Sequence, residues 1–444
     1  MIETVLARLS RRAQAGDVLF RRVEQTGVSF EAGRLKAAGA SEETGVNLRV
    51  VRDGRIGVAG TTALAPENLD TLVARALASA ELGEPLALDF PPPLPLPDVP
   101  THAPGAEAAP LDRLVGIGRE LVERLAREGC QVNVSVGRSV GETAVGNTAG
   151  AAAAYHFTGV SVGAEVTRIG GDDVLMVYDS WSGTDLPTAA DLDALWSSVA
   201  ARLDLALRVV EPPEGALPVV FTPAGLAAIL LPLEQALSGK AVLQGISPLA
   251  RRVGEAVFDR RFSLADDPLV PGRPDSRPVD DEGVPSRRVT LVEAGVVRGF
   301  VYDLETAARA GTRSTGHGHR GVFGKPGVGY TNLIVGEEAA GQREPGQAPR
   351  LGGGLLEGMD EGLVVDDLIG VGQGNVIGGA FSQPVGLAYR VQRGEITGRV
   401  KDAAVSGNVY ELLRRIGGFG TDGRWQGSRW APSLLLEGVS VARR

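Results

Sequence analysis

Hydrophobic positions along this chain recur with two periods, and the switches between them divide it. Residues 2–15 put Ile2, Val5, Leu6 and Leu9 on one helical face, with Gly16 as the stop. Runs with strand character follow at Val18–Glu24, Val28–Glu31, Leu35–Ala40, Val46–Val51 and Ile56–Gly60. Arg52-Asp53-Gly54-Arg55, between the last two, is a hairpin signal because Asp-Gly tolerates the positive φ of a tight turn. A helix begins near Pro66, a favoured first-turn residue. It sets Leu69, Leu72, Val73, Ala76 and Leu77 on one stripe and stops at Gly83. Helix, strands and helix predict a small α+β unit over residues 1–85.

Residues 86–110 are proline-rich and carry little charge, which suits a semi-rigid extended linker lying against the surface. A helix over 111–128 follows, with Leu114, Val115, Leu121, Val122 and Leu125 inward. Strands near 131–138, 142–147, 153–168 and 173–182, a hairpin at Gly170–Asp173 and a helix over 188–208 complete a second α+β unit, 111–211. Pro212 and Pro213 mark the boundary to a larger domain, 215–444. It opens with strand Leu217–Phe221 and a strongly apolar helix, Ala224–Leu237, with Thr222 as N-cap and Pro223 in the first turn. Pro232 lacks an amide donor and is expected to kink that helix. Residues 337–354, rich in Gly, Pro, Gln and Glu, read as a mobile loop. Strands Leu363–Ile369, Val385–Gln392 and Glu395–Val400, a helix Asn408–Arg415 and a strand Ser433–Leu436 finish the chain. The expected fold is α+β: two small N-terminal α+β units, then a larger, mainly antiparallel-sheet C-terminal domain.

Composition narrows the setting. The 444 residues are 43% hydrophobic and 22% charged, as in soluble globular proteins. A net charge of −9 argues against direct nucleic-acid binding, which needs clustered Lys and Arg. No apolar run approaches the ~20 residues of a membrane span, and the N-terminal helix lacks the apolar core of a leader. The single cysteine, Cys130, excludes an internal disulfide and reads as a buried, inert thiol in a reducing, cytoplasmic compartment.

The densest run of chemistry-bearing residues is 278–320. Asp280, Asp281 and Glu282 precede Gly283. A hairpin follows, with Arg288–Glu293 alternating, a turn at Ala294-Gly295 and a return over Val296–Tyr302. A short helix, Asp303–Ala310, is capped by an acid and stopped by Gly311. The run closes in Ser314-Thr315-Gly316-His317-Gly318-His319-Arg320, with two of the four histidines. Asp-Asp-Glu-Gly, the Val-Glu-Ala-Gly-Val-Val-Arg-Gly-Phe hairpin, the Ala-Ala-Arg helix and Ser-Thr-Gly occur in one order. Thr331-Asn332-Leu333, Leu368-Ile369-Gly370 and Ser406-Gly407-Asn408 continue it. That ordered set resembles the C-terminal domain of the TldD/PmbA family, described as metallopeptidase subunits and modulators of DNA gyrase. The resemblance covers residues 215–440 well and the first half loosely. With this charge balance, any gyrase link would run through protein contacts.

The resemblance implies a zinc motif, His-Glu-x-x-x-His, on the helix after the first strand of the C-terminal domain, with a further cysteine ligand near the C-terminus. The family frame Leu-Leu-His-Glu-x-x-x-His falls on Leu230–Leu237 here. Pro232 and Leu237 stand at the histidine positions and Leu233 at the glutamate, and none can bind zinc or move a proton. No cysteine follows Cys130. The resemblance therefore implies the PmbA/TldE-type branch: a non-catalytic, metal-free subunit that helps form the chamber of a TldD-type zinc peptidase acting on unfolded peptides. It would be a homodimer in isolation and a heterodimer with the TldD-type subunit, and zinc is expected only in that partner. Peptide would add as a strand along a sheet edge between subunits.

Other readings stay open. Glu234, one position from the expected base, reads as a pairing or capping group. His317 and His319 share a face if extended and could take Asp281 or Glu282 as a further metal ligand, or serve an independent hydrolase. Alternatively, Ser314, Thr315, His317, His319 and Arg320 form a polar loop lining a groove or interface, on an exposed, glycine-shaped surface. Asp280, Asp281 and Glu282 form either a solvated acidic turn or a contact in that groove. Gly370-Val371-Gly372-Gln373-Gly374-Asn375 reads as a turn between strands rather than a phosphate loop, since it opens no helix. A regulatory scaffold without enzymatic activity is the remaining alternative.

Overall fold

The computed structural model describes residues 1–9, 12–336 and 351–444. The first half contains α1 (Ile2–Leu9), β1 (Ala15–Glu31), β2 (Arg34–Arg52), β3 (Arg55–Thr61), α2 (Pro66–Glu81), α3 (Pro104–Glu107), α4 (Leu111–Leu125), β4 (Cys130–Asn147), β5 (Ala152–Gly170), β6 (Asp173–Gly183) and α5 (Ala189–Ala206). The six strands form one antiparallel sheet in the order β3-β2-β1-β4-β5-β6. The first helix thus ends earlier than its apolar stripe suggests, at Leu9.

Several strands read as separate are continuous. Residues 34–43 of β2 are almost wholly exposed, so no hydrophobic alternation marks them. They still pair with β1 through Glu31↔Arg34. Backbone ladder bonds do not require a buried face, so pairing continues where the side-chain pattern stops. The two N-terminal units also share this sheet: β1 pairs with β4 from Asp17↔Asn147 to Phe30↔Val134. The proline-rich stretch is a crossover within one layer. Leu88, Phe90 and Val99 are buried along it, and Asn147 Nδ2 donates to the Pro91 carbonyl at 2.9 Å.

Helices α1 and α2 cover one end of the sheet, packing Val5, Leu9, Leu69, Leu72, Val73 and Ala76 against Val18, Val46, Leu48 and Val50. Helices α4 and α5 cover the other end. Their cluster runs from Val28 and Val134 through Leu121 and Val199 to Val364, Leu387 and Tyr389 of the C-terminal half. Thr188 opens α5 with a reciprocal capping box to Asp191. The predicted Asp53-Gly54 turn is present, with φ of 49° and 68°.

The second half contains β7 (Val209–Val210), β8 (Gly215–Phe221), α6 (Ala227–Ala236), α7 (Gly239–Leu243), β9 (Leu264–Asp266), β10 (Val289–Glu293), β11 (Val296–Val297), α8 (Leu304–Ala310), β12 (Gly318–His319), β13 (Gly327–Val328), β14 (Leu333–Val335), β15 (Glu361–Leu368), β16 (Ala380–Gln392), β17 (Glu395–Val400), β18 (Ala403–Asn408), α9 (Val409–Leu412), β19 (Ile416–Phe419), β20 (Arg424–Gln426), β21 (Arg429–Ala431) and β22 (Leu434–Arg443). Five strands close a ring of pairings, β15–β8–β22–β18–β16 and back to β15. A second sheet runs β11-β10-β9-β14-β21-β20, and β12-β13 form a small hairpin. Most pairings are antiparallel, with parallel ones at β8–β15, β14–β21 and β7–β17. The fold is α+β and mainly antiparallel, as expected.

Helix α6 lies in the largest hydrophobic cluster, where Ile229, Leu230, Leu233, Ala236 and Leu237 pack with Val219, Phe221, Val365 and Leu436. It continues through Pro232 to Ala236. The β10–β11 hairpin turns at Ala294-Gly295 as predicted, but β11 is only two residues long. Asp303 caps α8 through Thr306, and Gly311 ends it in the left-handed region. The final strand extends to Arg443. Gly370–Asn375 connects β15 to β16 as a turn. The loop reading at 337–354 falls, for 337–350, outside the described residues.

The contact between α2 and β3 offers a direct test. A Cβ at Gly57 would lie 2.1 Å from the Ala76 carbonyl oxygen and 2.5 Å from the Ala80 nitrogen, both backbone atoms. Gly57→Val is expected to lower stability by about 1–3 kcal/mol through overpacking. An unchanged urea midpoint would show that the helix does not sit this close.

Candidate functional site

Asp17 and Arg49 lie directly opposite each other on β1 and β2. Arg49 donates from Nε and Nη2 to the two Asp17 oxygens at 3.0 and 2.8 Å, a bidentate pair. Its Nη1 donates to Glu282 Oε1 at 2.6 Å, reaching across to the C-terminal half. All three residues are 1% exposed. Arg49 also stacks on Phe90, 5.2 Å from the ring centre. Arg320 approaches Asp17 at 3.1 Å, and its backbone amide donates to Asp281 Oδ2 at 2.9 Å. Arg21 donates to Asp281 Oδ1 at 2.9 Å, and Arg277 lies 3.6 Å from its other oxygen.

The three acids therefore have separate tasks. Asp280 accepts from the amides of Glu282, Val284 and Gly318, which makes it the staple of its own turn. Asp281 joins the turn to β1 through Arg21. Glu282 ties Arg49 to the start of α8 by accepting from Leu304 N–H at 2.7 Å. The expectation of an exposed acidic surface is corrected here: Asp280, Asp281 and Glu282 are buried because the turn is sandwiched between the N-terminal sheet and α8. Burial, opposed by Arg49 and reinforced by the like charges of Asp280 and Asp303, pushes Glu282 up to about 8. Burial is likewise the main opposing influence on Asp281, but Arg277 and Arg21 outweigh it and hold that carboxyl below its ordinary value.

The histidine loop divides in the same way. Ser314 and Thr315 are half-buried and secure the loop to Tyr302. Ser314 Oγ donates to the Tyr302 carbonyl at 3.1 Å, and Thr315 Oγ1 accepts from the Tyr302 amide at 2.7 Å. His317 is 1% exposed; its Nε2 bonds Asp266 at 3.0 Å and its Nδ1 lies 2.9 Å from Thr315 Oγ1. Asp266 also accepts from Thr331 through both its amide and its hydroxyl. His319 instead meets Arg277, Nη2 to Nε2, at 2.7 Å. Arg277 can only donate, so the ring accepts at Nε2 and carries its proton on Nδ1. Burial and the Arg277 charge hold its pKa down to about 3. The two histidines thus face different partners, and neither meets Asp281 or Glu282. The shared metal or hydrolase site considered from sequence is not assembled.

Asp281, His319 and Arg320 do line a cavity of about 700 Å³ between β1, β4 and β5 and the segments 274–281 and 319–328. Sequence reasoning did not single out Arg21, Arg49, Asp17, Asn47, Arg277 or Asp266. Its one signal was the run Val46-Asn47-Leu48-Arg49-Val50, a clean alternation whose polar side would normally face water. Here both sides are buried. Cys130, expected to be buried, is half-buried at the start of β4.

Residues 214–443 match the family described as "PmbA/TldA metallopeptidase C-terminal domain", and residues 16–80 match "PmbA/TldA metallopeptidase domain 1". The chain belongs to this family. It is 25% identical to a metalloprotease of Methanothermobacter thermautotrophicus over 432 residues, 95% of this chain and 91% of that one. It is 29% identical to a TldD-homologue metalloprotease of Haemophilus influenzae over 226 residues, 50% of this chain and 44% of that one. Its fold matches the crystal structure of TldE from Thermococcus kodakarensis, with a TM-score of 0.88 at 24% identity and 99% coverage of both chains.

A metal implied by the family name finds no fit where the family frame falls. Pro232, Leu233 and Leu237 are buried in the core and offer no donor atom. Glu234 is occupied by Arg429, Oε1 at 2.6 Å and Oε2 at 2.9 Å. Among the described residues, no three of His, Cys, Asp and Glu are grouped to hold a metal ion.

The buried cluster yields two expected outcomes. Arg49→Met leaves Asp17 with Arg320 alone and Glu282 without a cation in the interior, and is expected to cost about 3–5 kcal/mol in chemical denaturation. Glu282 has a folded pKa above its unfolded one. Its stabilising contribution is therefore complete below about 4.5 and lost as pH rises through about 8. Stability of the native chain relative to Glu282→Gln is expected to decline between pH 5 and 8. A difference that stays flat or grows over that window would refute the assignment.

Proposed function

We propose that this chain is the non-catalytic, metal-free subunit of a TldD/TldE-type metallopeptidase. The observation that carries the reading is helix α6, where side chains packed in the core occupy the positions at which the resemblance implies zinc ligands and base. A metal donor must point into an open, polar space, whereas Leu233 and Leu237 fill an apolar one. The Glu234–Arg429 pair ties the same helix to β21, so the nearest carboxylate is committed to structure.

In this reading the chain forms a homodimer alone and a heterodimer with a TldD-type subunit, which holds the zinc. The pair acts in the cytoplasm on unfolded peptides, which add to a sheet edge at the chamber between subunits. Nucleic acid and membrane have no role. No helix of the described residues is long and apolar enough to cross a membrane.

The test is a mixing experiment. The purified chain is expected to contain no stoichiometric zinc and to cleave no unfolded peptide. Cleavage should appear when a TldD-type subunit is added, with a 1:1 complex in light scattering. Stoichiometric zinc in the chain alone, with cleavage abolished by His317→Ala, would overturn the proposal in favour of an independent hydrolase. A strictly monomeric chain that never joins a TldD-type subunit would also overturn it.

A further inference from the structure

The cavity between the N-terminal sheet and the C-terminal half has no task in the frame at α6. Its about 700 Å³ lies within the range of small-ligand sites, roughly 300–1,000 Å³. Two kinds of wall face each other across it. One is apolar: Tyr155 and Phe157 stand two residues apart on β5 with ring centres 6.3 Å apart, and Val23, Pro274 and Val328 continue the surface. Alternate strand residues share a face, so β5 presents both rings to the same space.

The other wall is cationic. Arg21, Arg277, Arg320 and Lys325 line the cavity against two acids, Asp275 and Asp281, in a chain of net charge −9. Both Asp281 oxygens are already used, Oδ1 by Arg21 and Oδ2 by the Arg320 amide, so this acid offers little to a cationic ligand. Lys325 is exposed and forms no ion pair with an acid among the described residues. His319 adds a neutral donor. Arg277 occupies its Nε2, so the proton sits on Nδ1, which has no hydrogen-bond partner among the described residues. Arg277 itself is buried and fixed, which makes the ring's orientation a preset feature.

We propose that this cavity binds the C-terminal residue of a peptide, with the carboxylate held by Lys325, Arg21 and the His319 N–H and the apolar side chain against Tyr155 and Phe157. One cation without an acid partner among the described residues, one shared guanidinium and one neutral donor match a single negative charge. A phosphate dianion would want more cations and would meet stronger repulsion from Asp275, exposed at the rim, than a single carboxylate does. A purely apolar ligand would leave the His319 N–H facing it without an acceptor. This deepens the peptide-handling reading and takes the ligand's class from it.

The test measures binding to the full chain alone, so its outcome is independent of whether a TldD-type partner activates cleavage. Calorimetric titration uses N-acetyl-Ala-Ala-Phe with a free carboxylate, the same peptide as its amide, and inorganic phosphate. The free acid is expected to bind at least about tenfold more tightly than the amide. Lys325→Gln should weaken the acid by about tenfold and leave the amide unchanged. Lys325 is exposed and forms no ion pair among the described residues, so this variant should keep the native circular-dichroism spectrum. Tyr155→Ala should weaken acid and amide together. Equal affinity for acid and amide, no binding of either, an acid affinity unaffected by Lys325→Gln, or phosphate binding more tightly than the acid would each overturn the proposal.

Discussion

The molecule depends on one buried guanidinium. Arg49 sits on β2 of the N-terminal sheet, grips Asp17 on β1 with two hydrogen bonds, and reaches Glu282 in the C-terminal half with a third. None of the three touches bulk water. Each charge is tolerable only while the others are in place, because an isolated buried charge costs far more than the pair returns. Separating the halves would break the Arg49–Glu282 and Arg320–Asp17 contacts and leave Arg49 with Asp17 alone. Arg320 and Arg21 extend the same constraint to Asp17 and Asp281. The two halves are therefore held in one register, and the cavity walls they contribute keep a fixed spacing.

Such a network is an unusual choice for a joint. Apolar residues of similar volume would often be as stable or more so. What the charges add is direction: a bidentate Arg–Asp pair accepts few orientations, whereas apolar surfaces can slide. The hydrophobic cluster that runs from Val28 through α4 and α5 to Tyr389 supplies area between the halves. Arg49 and its partners decide how that area is aligned. His319 benefits in turn, since the Arg277 that orients it is held by Asp281.

Helix α6 presents the opposite economy. Around it, the family described as "PmbA/TldA metallopeptidase C-terminal domain" matches residues 214–443. In this chain the helix is given over to packing, with Leu230, Leu233 and Leu237 in the core and Glu234 paired to Arg429. Filling that space with hydrocarbon favours stability.

Local chemistry was readable from residues alone. Asp53-Gly54 and Ala294-Gly295 marked hairpins because few residue pairs accept two positive φ values. Asp303 and Gly311 marked helix ends because caps satisfy amides and carbonyls within a few residues. The apolar run at α6 announced burial, and the order of motifs from Asp280 to Asn408 announced the family. Partners distant in sequence were not readable. Residues 34–43 pair without any buried face, so a continuous strand looked like two short ones. Asn47 and Arg49 alternate with Val46, Leu48 and Val50 as a half-exposed strand would, yet the C-terminal half covers their polar side. Asp280, Asp281 and Glu282 looked solvated for the same reason. Alternation records which side chains share a face, whereas the water on that face is removed only when a segment more than two hundred residues away folds over it.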